Sequence, residues 1–301
     1  MSSLRKHLAG ARASKKGEFF TLYDDVQFEL DHYLDQLKGK VVYCPCDDKD
    51  SSFVKYFLEL KSKGLIEDLL YTSLQDGIDC LGEKASVYYQ QADIVVTNPP
   101  FSIFRSFLEV LNRNNKKFII WGTNNCFCYK QVSSMLVRDQ VRLGYIANRT
   151  CEFEVPREYA IESKSKAFLR ENKYYIKVAA ISTFTNLDVD REGCLELNIK
   201  YDPALHLKYV NFDAVNCDKT SLIPYDYDGY IGVPITYLAK HDPTMFRIIG
   251  IFNNYDVMDE ESGCITGDLV LLDKAPWKTR GPCLPPNKPT YVRILIKRIE
   301  N

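Results

Sequence analysis

Apolar residues in the first half of the chain fall into short blocks of two alternating kinds. One kind is helical. Val26, Leu30, Tyr33, Leu34 and Leu37 share a face over residues 24–37, and Phe53, Tyr56, Phe57 and Leu60 share another, after a cap at Ser51 or Ser52 and before a stop near Gly64. The other kind is a continuous apolar run. Residues 40–44, 65–72, 93–97 and 117–121 are too short for helices and read as buried strands. Ile103, Phe104, Phe107, Leu108 and Leu111 predict a further helix, and another is expected near 129–139. Strands alternating with helices predict an α/β fold, a parallel sheet covered on both faces. In such sheets ligands bind beyond the carboxyl ends of the strands. The loops 45–52 and 98–101 leave strands directly, so both belong to that rim.

The second half has a different texture. Residues 174–186, 194–200, 246–252 and 291–299 read as strands, separated by turn-rich stretches such as 223–232. The pattern predicts a catalytic, ligand-binding half over 1–150 and a mixed, β-rich half over 151–301 that completes the sheet and reads the substrate, with the change between about 145 and 175.

Composition narrows the class of protein. The 301 residues are 46% hydrophobic and 26% charged, ordinary values for a soluble globular chain. No stretch reaches the ~18 apolar residues of a membrane span, and no apolar run follows the basic N-terminus, so a cytoplasmic protein is expected. Ten cysteines are scattered, and the pairs Cys44/Cys46 and Cys126/Cys128 lack a second pair or nearby histidines at zinc spacing. Free thiols and no metal are expected. Net charge is −1, but Arg5, Lys6, Arg12, Lys15 and Lys16 crowd the N-terminus, and Lys274, Lys278, Arg280, Lys288, Arg293, Lys297 and Arg298 crowd the C-terminus. These basic stretches are either solvated edges or phosphate contacts.

The sharpest chemistry lies in Asn98-Pro99-Pro100-Phe101, directly after the run 93–97. Two prolines stiffen the exit from the strand and offer carbonyls without N–H groups. The Asn98 side chain adds an acceptor oxygen, and Phe101 adds a ring. The exocyclic amine of a flat base is a poor nucleophile because its lone pair is delocalised. Two acceptors, the Asn98 oxygen and the Pro99 carbonyl, can hold its two hydrogens and localise that pair. Phe101 can stack on the ring. Such a site works by orientation and electrostatic placement rather than by a strong base.

The tetrapeptide is the catalytic motif of amino-methyltransferases. The stretches GEFFTLYDDVQFELDHY (17–33), KGKVVYCPCDD (38–48), ADIVVTNPPFSIFRSF (92–107), KVAAISTFTNLD (177–188), YDGYIGVPITYLAKHDPTMFRIIG (227–250) and YVRILIKR (291–298) together resemble the EcoRI-type adenine-specific DNA methyltransferase family. The resemblance implies a class I, Rossmann-like methyltransferase sheet followed by a recognition region. It implies transfer of a methyl group from S-adenosyl-L-methionine to the N6 amine of an adenine flipped out of duplex DNA, in a restriction-modification or orphan methylation system. DNA is the implied partner, and no obligate protein partner is expected, a monomer being sufficient. Asn98, Pro99, Pro100 and Phe101 become the implied catalytic turn.

Glu18-Phe19-Phe20-Thr21 resembles the N-terminal cofactor motif of that family. Cys44-Pro45-Cys46-Asp47-Asp48 stands at the first cofactor loop, without the glycine-rich turn common among methyltransferases. S-adenosylmethionine has no phosphate to cradle, so a carboxylate toward its ammonium or ribose suffices. Cys44, Asp47 and Asp48 are the candidates there, Asp47 first. Asp76 and Asp79, in the loop after the second strand, are further candidates, with Asn98 completing the cofactor-binding set. Asn124 or Phe127, after the strand 117–121, could line the base pocket or simply pack. Competing readings are the same chemistry on RNA, a binding module that has lost turnover, and methylation of a protein amine.

Overall fold

The computed structural model describes residues 19–162, 167–191, 193–209, 213–252, 283–284, 288–289 and 293–299. Outside them lie Glu18, the N-terminal basic residues Arg5, Lys6, Arg12, Lys15 and Lys16, and Lys274, Lys278, Arg280 and the side chain of Lys288. In chain order the first elements are β1 (Phe20–Thr21), α1 (Tyr23–Leu30), α2 (Leu34–Leu37), β2 (Val41–Pro45), α3 (Ser52–Ser62), β3 (Asp68–Thr72), α4 (Ser86–Gln91) and β4 (Ile94–Thr97). Then come α5 (Phe104–Arg113), β5 (Lys117–Thr123), α6 (Lys130–Val137), β6 (Arg142–Leu143), β7 (Arg149–Val155), α7 (Arg157–Glu162), β8 (Phe168–Arg170) and β9 (Lys173–Thr185). The remainder are β10 (Ala214–Asn216), β11 (Tyr230–Pro234), β12 (Phe246–Phe252), β13 (Cys283–Leu284), β14 (Lys288–Pro289) and β15 (Arg293–Arg298).

Two compact units emerge. One comprises Met1–Asn124 with Leu143–Asp188, the other Asn125–Arg142 with Val189–Asn301. The first is built on a sheet ordered β1-β7-β9-β5-β4-β2-β3, with β6 and β8 also pairing with β9. Strands β3, β2, β4 and β5 run parallel. Strand β9 lies antiparallel between β5 and β7. From β2 the chain steps to β3 on one side and later to β4 on the other, so the strand order reverses between β2 and β4. That reversal opens a crevice at their carboxyl ends.

Neighbouring residues on β5 show that helices cover both faces, as the alternating pattern predicts. Ile120 pairs with Phe184 of β9, and Phe104 of α5 packs on Phe184 at 5.1 Å between ring centroids. Trp121, pointing the other way, meets Phe53 of α3 at 4.9 Å. Gly122 makes room for the first contact: a Cβ there would lie 2.6 Å from the Phe104 ring.

The expected helix over 24–37 is interrupted by a 3-10 turn at Asp31–Tyr33. The expected strand over 65–72 starts at Asp68 instead. The reason is the end of α3. Gly64 takes a left-handed φ of 68° and the Leu65 N–H closes on the Leu60 carbonyl, so Leu65 belongs to the helix stop.

One polar cluster anchors this unit from inside. Glu29 of α1 is fully buried. Its carboxylate accepts from the Tyr145 N–H at 3.0 Å, the Ile146 N–H at 2.5 Å and the Tyr33 hydroxyl at 3.0 Å. Burial raises its pKa, and hydrogen bonds from Ile146, Thr183, Tyr145 and Tyr33 pull it back down. Gly144 is required beside it, since a Cβ would fall on the Glu29 carboxylate and the Thr183 hydroxyl.

The second unit carries a four-stranded sheet ordered β10-β11-β15-β12, with α6 packed on β12. Tyr209 lies over Gly232, where a Cβ would meet the phenol, and donates to Asn216 at 2.7 Å. Arg293 is buried within this cluster and donates to Asn216 at 3.0 Å and to Asp218 at 2.9 Å. Arg298 donates to the Pro224 carbonyl and stacks over Phe246. Arg293 is therefore a structural cation and not a phosphate contact. The strands expected at 246–252 and 291–299 form as β12 and β15. The one expected at 194–200 does not form, and the segment makes a single bridge, Ile199 to Pro224. Of its apolar positions Leu195 is the buried one.

Candidate active site

Strand β4 delivers the Asn98–Phe101 turn to the crevice. Thr97, the last strand residue, is fully buried and donates to the Asp47 carboxylate at 2.7 Å. The side-chain amide of Asn98 is held from behind. Its Nδ2 donates to the Phe19 carbonyl and to the Thr21 hydroxyl, both at 3.1 Å. A carbonyl can only accept, so the amide must point its nitrogen at Phe19 and its oxygen away. That oxygen, Asn98 Oδ1, is buried and accepts no hydrogen bond among the described residues. A buried acceptor left without a donor costs about 1–3 kcal/mol, and such groups call for an explanation. The Pro100 carbonyl takes the Ile103 N–H at 2.9 Å, while the Pro99 carbonyl takes none among the described residues. The turn thus carries two acceptors that take no donor among the described residues.

Aromatic rings gather around these acceptors. Phe19 meets Phe101 edge-on at 5.7 Å, Tyr159 edge-on at 5.4 Å and Phe153 at 5.8 Å. Phe19, Phe101 and Tyr159 are all partly exposed, so their rings line an accessible surface. Phe20, pointing the other way from β1, is exposed, whereas Thr21 is buried. Tyr159 is a site residue that the sequence did not reveal. It sits on α7, just after β7, and nothing local marks it beyond an aromatic following an alternating strand.

The carboxylates divide into two groups. Asp47 is nearly buried, in the loop where the Cys46 and Asp47 N–H groups cross to the Thr72 carbonyl of β3. Asp79 is half-buried and lies close enough to raise the Cys46 thiol electrostatically. Cys46 itself has a left-handed φ of 82° and hydrogen-bonds the Cys80 thiol, the largest cause of its raised pKa, ahead of burial. The loops after β2 and β3 therefore converge, bringing Asp47 and Asp79 to one place. Asp48 and Asp76 serve the local backbone, as Asp79 also does by accepting the Leu81 N–H at 2.9 Å. Asp48 accepts the Asp50 N–H ahead of α3, and exposed Asp76 closes a capping box with Ser73. Cys44 is fully buried within β2, and burial pushes its thiol well above the usual range. Asn124 is locked in a polar ring, donating to Asn148 and accepting from Ser182, and Phe127 is wholly buried. Both are packing residues. Among the described residues no group of side chains could hold a metal, and no helix is long and apolar enough to cross a membrane.

A doubly wound sheet with an antiparallel strand inserted beside β5, and an Asn-Pro-Pro-Phe turn at its reversal point, defines an amino-methyltransferase, a class that takes its methyl group from S-adenosylmethionine. The family model described as adenine-specific methyltransferase EcoRI matches residues 7–75 and 59–299, and the chain belongs to this family. It is 32% identical over 302 residues to the Type II methyltransferase M.EcoRI of Escherichia coli, covering 86% of this chain and 93% of that one. A Type II methyltransferase of Mycoplasma genitalium is 30% identical over 320 residues, covering 97% and 98%. The Type II methyltransferase M.MpnI of Mycoplasma pneumoniae is 33% identical over 278 residues, covering 83% and 87%. The resemblance read from the sequence is thereby established along nearly the whole chain.

Proposed function

We propose that this enzyme methylates the exocyclic N6 amine of adenine in duplex DNA, taking the base out of the stack to reach it. The observation that carries the reading is the pair of acceptors at the turn, above all the buried, unpartnered Oδ1 of Asn98. An adenine amine has two hydrogens to give, and Asn98 Oδ1 and the Pro99 carbonyl accept one each. Accepting both draws the nitrogen toward a tetrahedral shape and frees its lone pair. Phe101 and Tyr159, with Phe19 between them, pack the flat base. Bound S-adenosylmethionine supplies an electrophilic methyl group on a sulfonium centre. The amine proton departs after transfer, so no side chain need act as a strong base.

The residues present suit that cofactor. Asp47 and Asp79 offer carboxylates at the crevice to its ammonium or ribose hydroxyls, in preference to Asp48 and Asp76, because both act on Cys46 where the loops after β2 and β3 meet. Asp47→Asn keeps an acceptor for Thr97 but removes the charge. It should weaken S-adenosylmethionine binding about 10-fold or more, the range of one charged hydrogen bond, with thermal stability little changed. Calorimetric titration measures this, and unaltered affinity would remove Asp47 from the cofactor site. Tyr159→Ala should raise KM for DNA about 10-fold through lost stacking, while Tyr159→Phe stays near wild type.

Duplex DNA is favoured over RNA by the DNA methyltransferase family to which the chain belongs, and a restriction-modification or orphan role follows from the same kinship. The direct test is incubation with labelled cofactor and either unmodified duplex DNA or structured RNA, followed by nucleoside analysis. N6-methyladenine in the DNA is expected. Label only in RNA, or in cytosine, would sink the proposal.

A further inference from the structure

We propose that the segment Phe19–Thr21 orients the catalytic amide, with Thr21 as a positioning residue for Asn98. This inference rests on the proposed acceptor role of Asn98. The family resemblance assigns this segment to the cofactor, but its two inward polar groups are spent elsewhere. The Phe19 carbonyl and the Thr21 hydroxyl take the two hydrogens of Asn98 Nδ2, each at 3.1 Å.

The two contacts do different work. The Phe19 carbonyl decides which end of the amide faces the pocket, because the flipped form would set oxygen against oxygen. One hydrogen bond alone still lets the amide pivot about it. The second, to Thr21, fixes the plane and therefore the direction of the Oδ1 lone pairs. Precise aim matters because a misplacement of ~1 Å can cost about 100-fold in rate.

Thr21 is itself braced. It is buried, and its carbonyl accepts from the Ser52 hydroxyl at 2.7 Å, at the start of α3. Its strand β1 pairs with β7, Phe20 opposite Glu154 and Thr21 opposite Phe153. A two-residue strand adds little to a sheet of this size. Its consequence is to place one hydroxyl and one carbonyl behind Asn98.

The test compares Thr21→Val, which keeps the shape, with Thr21→Ser, which keeps the hydroxyl. Thr21→Val should lower kcat about 10-fold to 50-fold, with KM for DNA and affinity for S-adenosylmethionine unchanged, and Thr21→Ser should restore most of the rate. In the Asn98→Ala background there is no amide to orient, and adding Thr21→Val should cost nothing further in the residual rate. In the unaltered enzyme, both Asn98 side-chain amide protons should be protected from hydrogen exchange, a measurement that needs no variant to fold. Unchanged kcat in Thr21→Val, equal losses in the Val and Ser variants, a parallel loss of cofactor affinity, or rapid exchange of both protons would each overturn the inference. Full activity of Asn98→Ala would instead overturn the acceptor reading beneath it.

Discussion

Asn98→Ala is expected to leave a folded protein that still binds S-adenosylmethionine yet transfers its methyl group about 100-fold to 1000-fold more slowly. Among the described residues the amide hydrogen-bonds Phe19 and Thr21 and leaves Oδ1 to the crevice. Truncation therefore removes an acceptor that acts on the reacting amine, and little that holds the fold. Loss in kcat with unchanged cofactor affinity is the signature of an interaction made in the transition state. Asn98→Asp keeps an acceptor oxygen but sets a second oxygen against the Phe19 carbonyl, so its rate should fall between those of wild type and Asn98→Ala. Single-turnover methylation of a DNA duplex, alongside a cofactor titration, measures both. An Asn98→Ala enzyme turning over at the wild-type rate would remove the turn from the chemistry.

The second large effect concerns stability. Glu29→Ala should destabilise the protein by about 3–5 kcal/mol, since it removes the shared acceptor of three donors at about 1–3 kcal/mol each. It removes the acceptor that the Tyr145 and Ile146 N–H groups and the Tyr33 hydroxyl share. Glu29→Gln keeps one acceptor oxygen and should lose less. Denaturant midpoints of the three proteins test the order. The pH dependence follows from the raised pKa of Glu29. A carboxyl whose folded pKa lies above its unfolded value stabilises most below the unfolded value, and that share is lost as pH rises through the folded one. Glu29→Gln should abolish this slope, and its persistence would assign the slope to another group.

The strands β2, β4 and β5 were legible because they are buried on both faces and read as unbroken apolar runs. The Asn98–Phe101 turn was legible because adjacent prolines admit few conformations. Other parts depend on distant partners. Glu29 looks like a solvated helix acid, and its burial is decided by Ile146, 117 residues away. Strand β1 has two residues, too few for any period, and exists only by pairing with β7. In β7 the inward Cys151, Phe153 and Val155 alternate with Glu152 and Glu154, a weaker signal than a continuous run. Among the four aspartates the sequence ranks Asp47 first, and the pairing of Asp47 with Asp79 emerges only where the loops after β2 and β3 meet at Cys46.

The length of β9 has a consequence for how a polyanion can approach. Of its thirteen residues, only Ile181–Thr185 pair with β5, and the rest continue past the rim against β7 and β8. On one side of this projecting arm, Glu152 pairs with Arg170 and Lys177, and Glu154 with Lys173. Three cations face two carboxylates here, Glu152 being shared by Arg170 and Lys177, so these pairs leave little positive charge to exchange for the cations condensed on a nucleic acid. The opposite side carries Phe153, against the Phe19 ring. The arm thus carries partly neutralised charge on one side, while on the other its buried Phe153 backs the Phe19 ring of the site.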